Sequence, residues 1–402
     1  MRYVSLFTGI GGLEHREIAP VMMCESDPAS REVLARLYGP KEIWPDVRSF
    51  PRMAVDVVAG GWPCQDITIA GRMRGLDGHR SGLFFDMVRV AQRCSARTLV
   101  AENVPNLLGN RKGRDFKTVL DELHGVGYRW VAWRVIDSRE FGLPQARRRL
   151  FIVASRSRGV ALSLHRPVSD EWMVRAPAAG SRRRPIYGFY WTGGERRSLC
   201  LSRGFIPALK VGSSTSKGTS PVGVFVDGVV RKLTPVECLR LQGFWDSKPF
   251  DGHILGDVFR MAGNAVAKPV GEFVMGGVAE DSDAGATIEM RPCEAVPECG
   301  ISDRGRTREV PNAPRLVSCS LGGFLERGVE PLSPQASAGL LTRVIRAGRW
   351  IPPEMFDALY RRSRTRTSLI GTRINSFEIL DNEMRPLEFR SWLTEATADA
   401  DA

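Results

Sequence analysis

Residues 3–27 read YVSLFTGIGGLEHREIAPVMMCESD, and their order decides the fold. One apolar run, YVSLF, passes into Thr8-Gly9-Ile10-Gly11-Gly12, and a second, VMMC, ends in Glu25-Ser26-Asp27. Glycines directly after a strand allow a tight turn and close approach of backbone to a ligand. Glu25 stands eighteen residues beyond Phe7, where a carboxylate can take both hydroxyls of a ribose. A third acid, Asp46, follows in WPDV. The third glycine of a dinucleotide fingerprint is missing, since Leu13 and Glu14 follow the turn. The pattern points away from NAD and toward another adenosine-bearing cofactor.

Outward from this segment the alternation continues. Short apolar runs (VDVVA, TLVA, RLFIVA) are separated by amphipathic stretches at Ser30–Leu37, Leu83–Cys94 and Phe116–His124. That order predicts an α/β domain on a mostly parallel sheet, with ligands beyond the carboxyl ends of the strands. The fourth run ends in Gly60-Gly61-Trp62-Pro63-Cys64-Gln65. Most lone cysteines are small buried hydrophobes, but the Gly/Pro turn makes a poor core environment and a good seat for a nucleophile. The next run ends at Glu102-Asn103, so adjacent parallel strands bring Glu102 and Cys64 to one rim. In Gln145-Ala146-Arg147-Arg148-Arg149, an extended chain puts Gln145, Arg147 and Arg149 on one face.

The chain has 402 residues, enough for two or three domains, and is 43% hydrophobic and 25% charged, which excludes wholesale disorder and a collagen-like fibre. Its apolar runs are strand-sized, too short for a membrane span, and MRYVSLFTGIGG lacks the pattern of a secretory signal. Eight cysteines without a CxxC pair argue against a zinc ribbon and a disulfide scaffold. No metal site and a reducing cytoplasm are the expectations. Of the net charge of +12, much falls in residues 155–230, where twelve Lys/Arg face four Asp/Glu beside several aromatics. Such a stretch suits phosphates and bases as well as it suits a solvated face. From Ser155 to Gly228 periodicity fades into a loop-rich module. It returns at RKLTPVECLRLQGF, with Thr234 as N-cap, Pro235 at the first helical position and Glu237 completing a capping box. Residues 280–316 read as linker, and Pro334–Ala347 and Pro353–Arg362 as helices, the first closed by Gly348.

Eight segments, in order, carry a family resemblance: FTGIGG, ESD, GGWPCQDIT, GRMRGLDGHRSGLFFDMVRV, AENVPNLL, DSREFGLPQARRRLFIVA, RKLTPVECLRLQGF and MAGNAVAKPV. The chain resembles a DNA (cytosine-5) methyltransferase of the bacterial and phage type over most of residues 1–275. Trp62 and Thr68 depart mildly from the family pattern without removing a reactive group. The resemblance implies a doubly wound, mostly parallel sheet binding S-adenosyl-L-methionine, with a smaller inserted target-recognition domain. The boundaries read are 1–155 for the catalytic and cofactor domain, 156–259 for target recognition, 260–284 for the returning segment, and 285–402 for a linker and helical extension of unknown role, whose deletion is expected to leave methylation in place because no segment of the reaction core lies there.

Residue by residue, the resemblance makes Cys64 the thiolate that adds to cytosine C6 and Glu102 the acid near N3. Arg149 would bind O2 of the base, and Arg147 would steady the site or the loop. It assigns Phe7, Gly9 and Gly11 to the methionine end of the cofactor, Glu25 to the ribose, Asp46 to the adenine, and Leu83, Asn264 and Val266 to the rest of the pocket. A base inside a duplex is out of reach, so flipping is implied. The implied partner is double-stranded DNA, with a cognate restriction endonuclease as a functional rather than physical partner, no membrane, and a monomeric chain. Rival readings are a tRNA cytosine-5 methyltransferase on the same fold, a silent DNA-binding relative, and an NAD enzyme. The basic module, the intact Cys64, Glu102, Arg147 and Arg149, and the missing glycine disfavour them in turn.

Overall fold

In the computed structural model the described residues are all but 40, 64–81, 177–184, 191–200, 211–221, 281–287, 294, 313, 318–319, 347–350, 363–377, 381–385 and 389–402. The chain folds into two compact units, residues 1–175 with 238–319 and residues 176–237 with 320–402.

In the first unit the strands are β1 (Tyr3–Leu6), β2 (Met22–Cys24), β3 (Ile43–Trp44), β4 (Val57–Gly61), β5 (Thr98–Asn103), β6 (Trp130–Asp137), β7 (Gln145–Ala146) and β8 (Arg148–Ser155). The helices with them are α1 (Pro28–Tyr38), α2 (Leu83–Arg93), α3 (Asn106–Gly109), α4 (Arg114–Gly125) and α5 (Arg158–Leu162). The main sheet begins β3-β2-β1-β4-β5-β8-β6. Its first five strands pair in parallel, and β8 then runs antiparallel to both β5 and β6. Alternation along the strands sorts the two faces. Val4, Leu6, Val58, Leu99, Ala101 and Ile152 pack with Phe84 and Met87 of α2 and Phe116 and Leu123 of α4. The other face carries α5 and the later helix Lys268–Ala279, whose Phe273 stacks edge-on to Phe141 and Trp172. Helices on both faces give the doubly wound α/β fold, as expected.

The second unit holds the antiparallel sheet β10-β9-β12-β13, made of β9 (Tyr187–Tyr190), β10 (Ser202–Arg203), β12 (Val222–Val226) and β13 (Val229–Lys232); Ile206–Pro207 is the short β11. After it come α6 (Pro235–Leu241), α7 (Leu255–Asn264) and α8 (Lys268–Ala279). The capping box of α6 forms as read: Thr234 N donates to Glu237 Oε2 at 2.8 Å, and Glu237 N to Thr234 Oγ1 at 3.2 Å.

The expected boundaries and the linker reading need correction. Residues 156–175 belong to the first unit, and the chain is back in it by Cys238, well before residue 260. Residues expected as linker form β14 (Arg291–Pro292), β15 (Cys299–Asp303) and β16 (Arg306–Glu309), which continue the sheet beyond β6. The edge strand β6 recruits them through backbone pairing, which needs no hydrophobic period. Gly300, within that stretch, is where Trp133 lies flat: a Cβ there would sit 2.4 Å from its ring. The terminal helices α9 (Pro334–Arg346) and α10 (Pro353–Arg362) form where read, but as half of a core. Leu340, Leu341, Met355 and Leu359 pack on Tyr187, Phe189, Phe225 and Val230. Gly348 lies outside the described residues.

Candidate active site

The carboxyl ends of the five parallel strands form one rim, and the expected site residues follow them. At the end of β1, Phe7, Gly9 and Gly11 all have positive φ, at 53°, 59° and 86°. Among the described residues, no atom lies within 4 Å of where a Cβ on Gly9 would be, so the turn opens onto free space. Glu25, just after β2, holds this turn: Oε2 accepts from Gly9 N at 2.7 Å and Oε1 from Asp27 N at 2.8 Å. Each carboxylate oxygen has a second lone pair, which leaves acceptor capacity for two hydroxyls. Asp46, after β3, is exposed and caps a short turn, accepting from Arg48 N at 3.0 Å. Leu83 starts α2, partly buried against the core.

The returning segment meets the glycine turn backbone to backbone. A Cβ on Gly12 would lie 2.1 Å from Val266 O, and one on Gly271 would lie 2.1 Å from Gly12 O. Both positions admit only glycine. Asn264, the exposed last residue of α7, and the half-buried Val266 therefore stand beside the turn. Arg260 of α7 reinforces the join through an ion pair to Asp27 at 3.1 Å.

The second cluster lies where β4 and β5 end in register, Gly61 opposite Glu102. A Cβ on Gly61 would be 2.7 Å from Glu102 Oε2, so the strand passes beneath the carboxyl only because it carries no side chain there. Arg149 Nε, from β8 on the other side of β5, lies 3.1 Å from Glu102 Oε1. Burial pushes the Glu102 carboxyl above the usual range, against the opposing pull of Arg149 and then Arg147. Asn103 Nδ2 donates to Trp62 O at 3.2 Å, fixing the backbone just before Cys64. Trp62 itself is buried, its ring 5.1 Å from that of Phe84, so the departure at this position serves as a core anchor. Cys64 lies outside the described residues, as does Thr68.

The one-face expectation for Gln145, Arg147 and Arg149 resolves into three separate tasks. The strand is interrupted at Arg147, between β7 and β8. Gln145 Nε2 donates to Leu241 O at 2.8 Å. Arg147, 2% exposed, donates from Nη2 to Ala265 O at 2.7 Å and Gly263 O at 3.1 Å. Arg147 thus holds the turn that carries Asn264 and Val266, while Arg149 is ion-paired with Glu102. Sequence reading missed Gln242, whose Nε2 donates to Ala262 O at 2.6 Å, and Asn103. Both sit inside segments already singled out, LQGF and AENV, but their backbone partners are distant in sequence.

Fold and rim define a doubly wound α/β protein with an open glycine turn and a partly buried carboxyl–arginine pair at the strand ends. Comparison with known proteins identifies which one. The family model for C-5 cytosine-specific DNA methylases matches residues 1–174 and 190–279, and the chain belongs to that family. It is a DNA cytosine-5 methyltransferase. Over 366 residues it is 29% identical to the type II methyltransferase M2.BsuMI of Bacillus subtilis, covering 86% of this chain and 94% of the relative. It is 30% identical over 289 residues to the type II methyltransferase M.NgoBI of Neisseria gonorrhoeae, covering 66% of this chain and 89% of that one. A match over 86% of 402 residues must run past residue 285, so part of the C-terminal region is shared with the Bacillus relative. No described helix is long and apolar enough to cross a membrane, and no described cluster of three His, Cys, Asp or Glu could hold a metal.

Proposed function

We propose that the enzyme moves a methyl group from S-adenosyl-L-methionine to C5 of a cytosine flipped out of duplex DNA, through a covalent bond between Cys64 and C6. The observation that carries this reading is the register of Gly61 with Glu102 beside Arg149, which sets an acid and a cation at the strand end leading to Cys64. The open glycine turn and the acceptor capacity of Glu25 fit an adenosine-bearing cofactor. Phe7, Gly9 and Gly11 would hold its methionine end, Glu25 its ribose and Asp46 its adenine, with Leu83, Asn264 and Val266 closing the pocket. When bound, it supplies an electrophilic methyl group on a sulfonium.

Cytosine C5 attacks poorly because attack sacrifices ring aromaticity. Addition of the Cys64 thiolate at C6 turns C5 into an enamine carbon. Glu102 would give a proton to N3 as that charge develops, a role that the upward push of burial on its carboxyl favours. Arg149 holds O2, and Arg147 keeps the Asn264 turn in place. After C5 has taken the methyl group, loss of its proton to water, expulsion of the Cys64 thiolate and return of the N3 proton to Glu102 restore the aromatic ring and the free enzyme. The type II names of the relatives support a functional pairing with a cognate endonuclease, and we read the enzyme as a monomer acting in the cytoplasm. Bisulfite sequencing of DNA from cells expressing the chain should show cytosines protected within one sequence context. Unprotected DNA, with methylated tRNA in the same cells, would assign the activity to RNA.

A further inference from the structure

Between β1 and β2 the chain crosses without a helix; residues 7–21 hold only turns and bends. A parallel crossover usually carries a helix, which satisfies its own backbone. Here the strand itself does that work. Val4 and Leu6 point into the main core, and the alternating Tyr3 and Ser5 reach the loop. Tyr3 Oη donates to Ile18 O at 3.0 Å and accepts from His15 N at 3.2 Å. Ser5 Oγ accepts from Thr8 Oγ1 at 3.1 Å and donates to Glu14 Oε1 at 2.6 Å. Glu14 Oε2 accepts from Leu13 N at 3.0 Å.

Glu14 is 1% exposed, and the proposed chemistry makes no use of it. Lys268, which could neutralise it, is paired with Glu272 at 3.4 Å. Its neighbours are instead the residues that shape the cofactor turn. Gly12 and Leu13 are the backbone against which Gly271 packs, and Gly11 lies under the Tyr38 ring. A buried carboxyl with hydrogen bonds to a strand hydroxyl and a loop amide can hold a loop in one conformation.

We propose that Glu14 is the positioning residue of the cofactor turn, tying Gly9–Leu13 to Ser5 of β1 in place of a crossover helix. The proposal rests on the reading that this turn receives the methionine end of S-adenosyl-L-methionine. Burial pushes the Glu14 carboxyl up, and Gln, which keeps the length and a carbonyl acceptor, is a close replacement.

The test is calorimetric titration of the full chain with S-adenosylhomocysteine, with thermal unfolding and hydrogen exchange of residues 5–20 measured without ligand. Glu14→Gln should bind within about threefold of wild type. Glu14→Met keeps the length and loses the acceptors; it should bind at least ~10-fold more weakly and exchange faster over residues 5–20 while still folded at the assay temperature. Wild-type affinity in a folded Glu14→Met chain would overturn the proposal. If that variant fails to fold, Ser5→Ala decides: it removes one hydroxyl and should weaken binding roughly three- to tenfold, and unchanged affinity overturns the proposal. A wild-type chain that binds no S-adenosylhomocysteine would instead sink the cofactor reading.

Discussion

Removing residues 320–402 should destroy the second unit, contrary to what a dispensable tail would do. That segment contributes Leu332, Leu340, Leu341, Val344, Ile351, Met355, Phe356 and Leu359 to a core whose other side is Tyr187, Phe189, Phe225 and Val230. Full burial of such a side chain stabilises by about 1.5–3 kcal/mol, so eight of them exceed ~10 kcal/mol, as large as the whole stability of an ordinary domain. The deletion also strips a buried ion pair. Glu237 and Arg231 are bonded at 2.7 Å, and Glu326 N donates to the same Glu237 Oε1 at 2.7 Å. A single truncation within this core tests the same claim gently. Leu340→Ala, at a position 0% exposed, should cost about 2–5 kcal/mol. Urea unfolding followed by tryptophan fluorescence, alongside methylation of duplex DNA and S-adenosylhomocysteine binding, reads the outcome. The chain ending at residue 319 should lose methylation and keep cofactor binding, and Leu340→Ala should lower the unfolding midpoint. A truncated chain that methylates DNA with wild-type unfolding behaviour would refute the packing argument.

Three substitutions probe the rim. Glu102→Gln should lower kcat by about 10²–10⁴ with duplex binding retained in a gel-shift assay. Because burial raises the Glu102 value and the acid acts when protonated, the wild-type rate should fall as pH rises through that value, and the Gln variant should lose that limb. Gly61→Ala puts a methyl group 2.7 Å from Glu102 Oε2 and should reduce kcat in single-turnover assays while leaving cofactor affinity near wild type. Gly12→Ala meets Val266 O at 2.1 Å and should do the reverse, weakening S-adenosylhomocysteine binding by more than ~10-fold by calorimetry.

Most of the first unit was legible because its signals are local. Apolar runs ending in Gly or acid gave the strands, and the strand ends gave Glu25, Asp46 and Glu102 in the places the structure has them. The capping box at Thr234 was legible for the same reason, whereas Arg149 comes beside Glu102 through the long-range pairing of β5 with β8. What stayed hidden depends on contacts distant in sequence. The strand at Cys299–Asp303 looks like linker because a paired edge needs backbone, not pattern, and its Gly300 exists for Trp133. Arg147 looked like a neighbour of Arg149, but a break in the strand turns it to Ala265. The helices at Pro334–Arg346 and Pro353–Arg362 were readable as helices, whereas the sheet they cover was not.

The most direct test of the proposed chemistry is a covalent trap. Duplex DNA carrying 5-fluorocytosine at the target lets methyl transfer proceed and blocks loss from C5, because fluorine cannot leave as a cation. The expected product is a complex that survives denaturation, requires S-adenosyl-L-methionine and maps by peptide mass to Cys64, with none formed by Cys64→Ser. Cys24 is a poor alternative, since burial pushes its thiol up to about 12. An active enzyme that forms no adduct, or an adduct mapped to Cys24 or Cys94, would contradict the account.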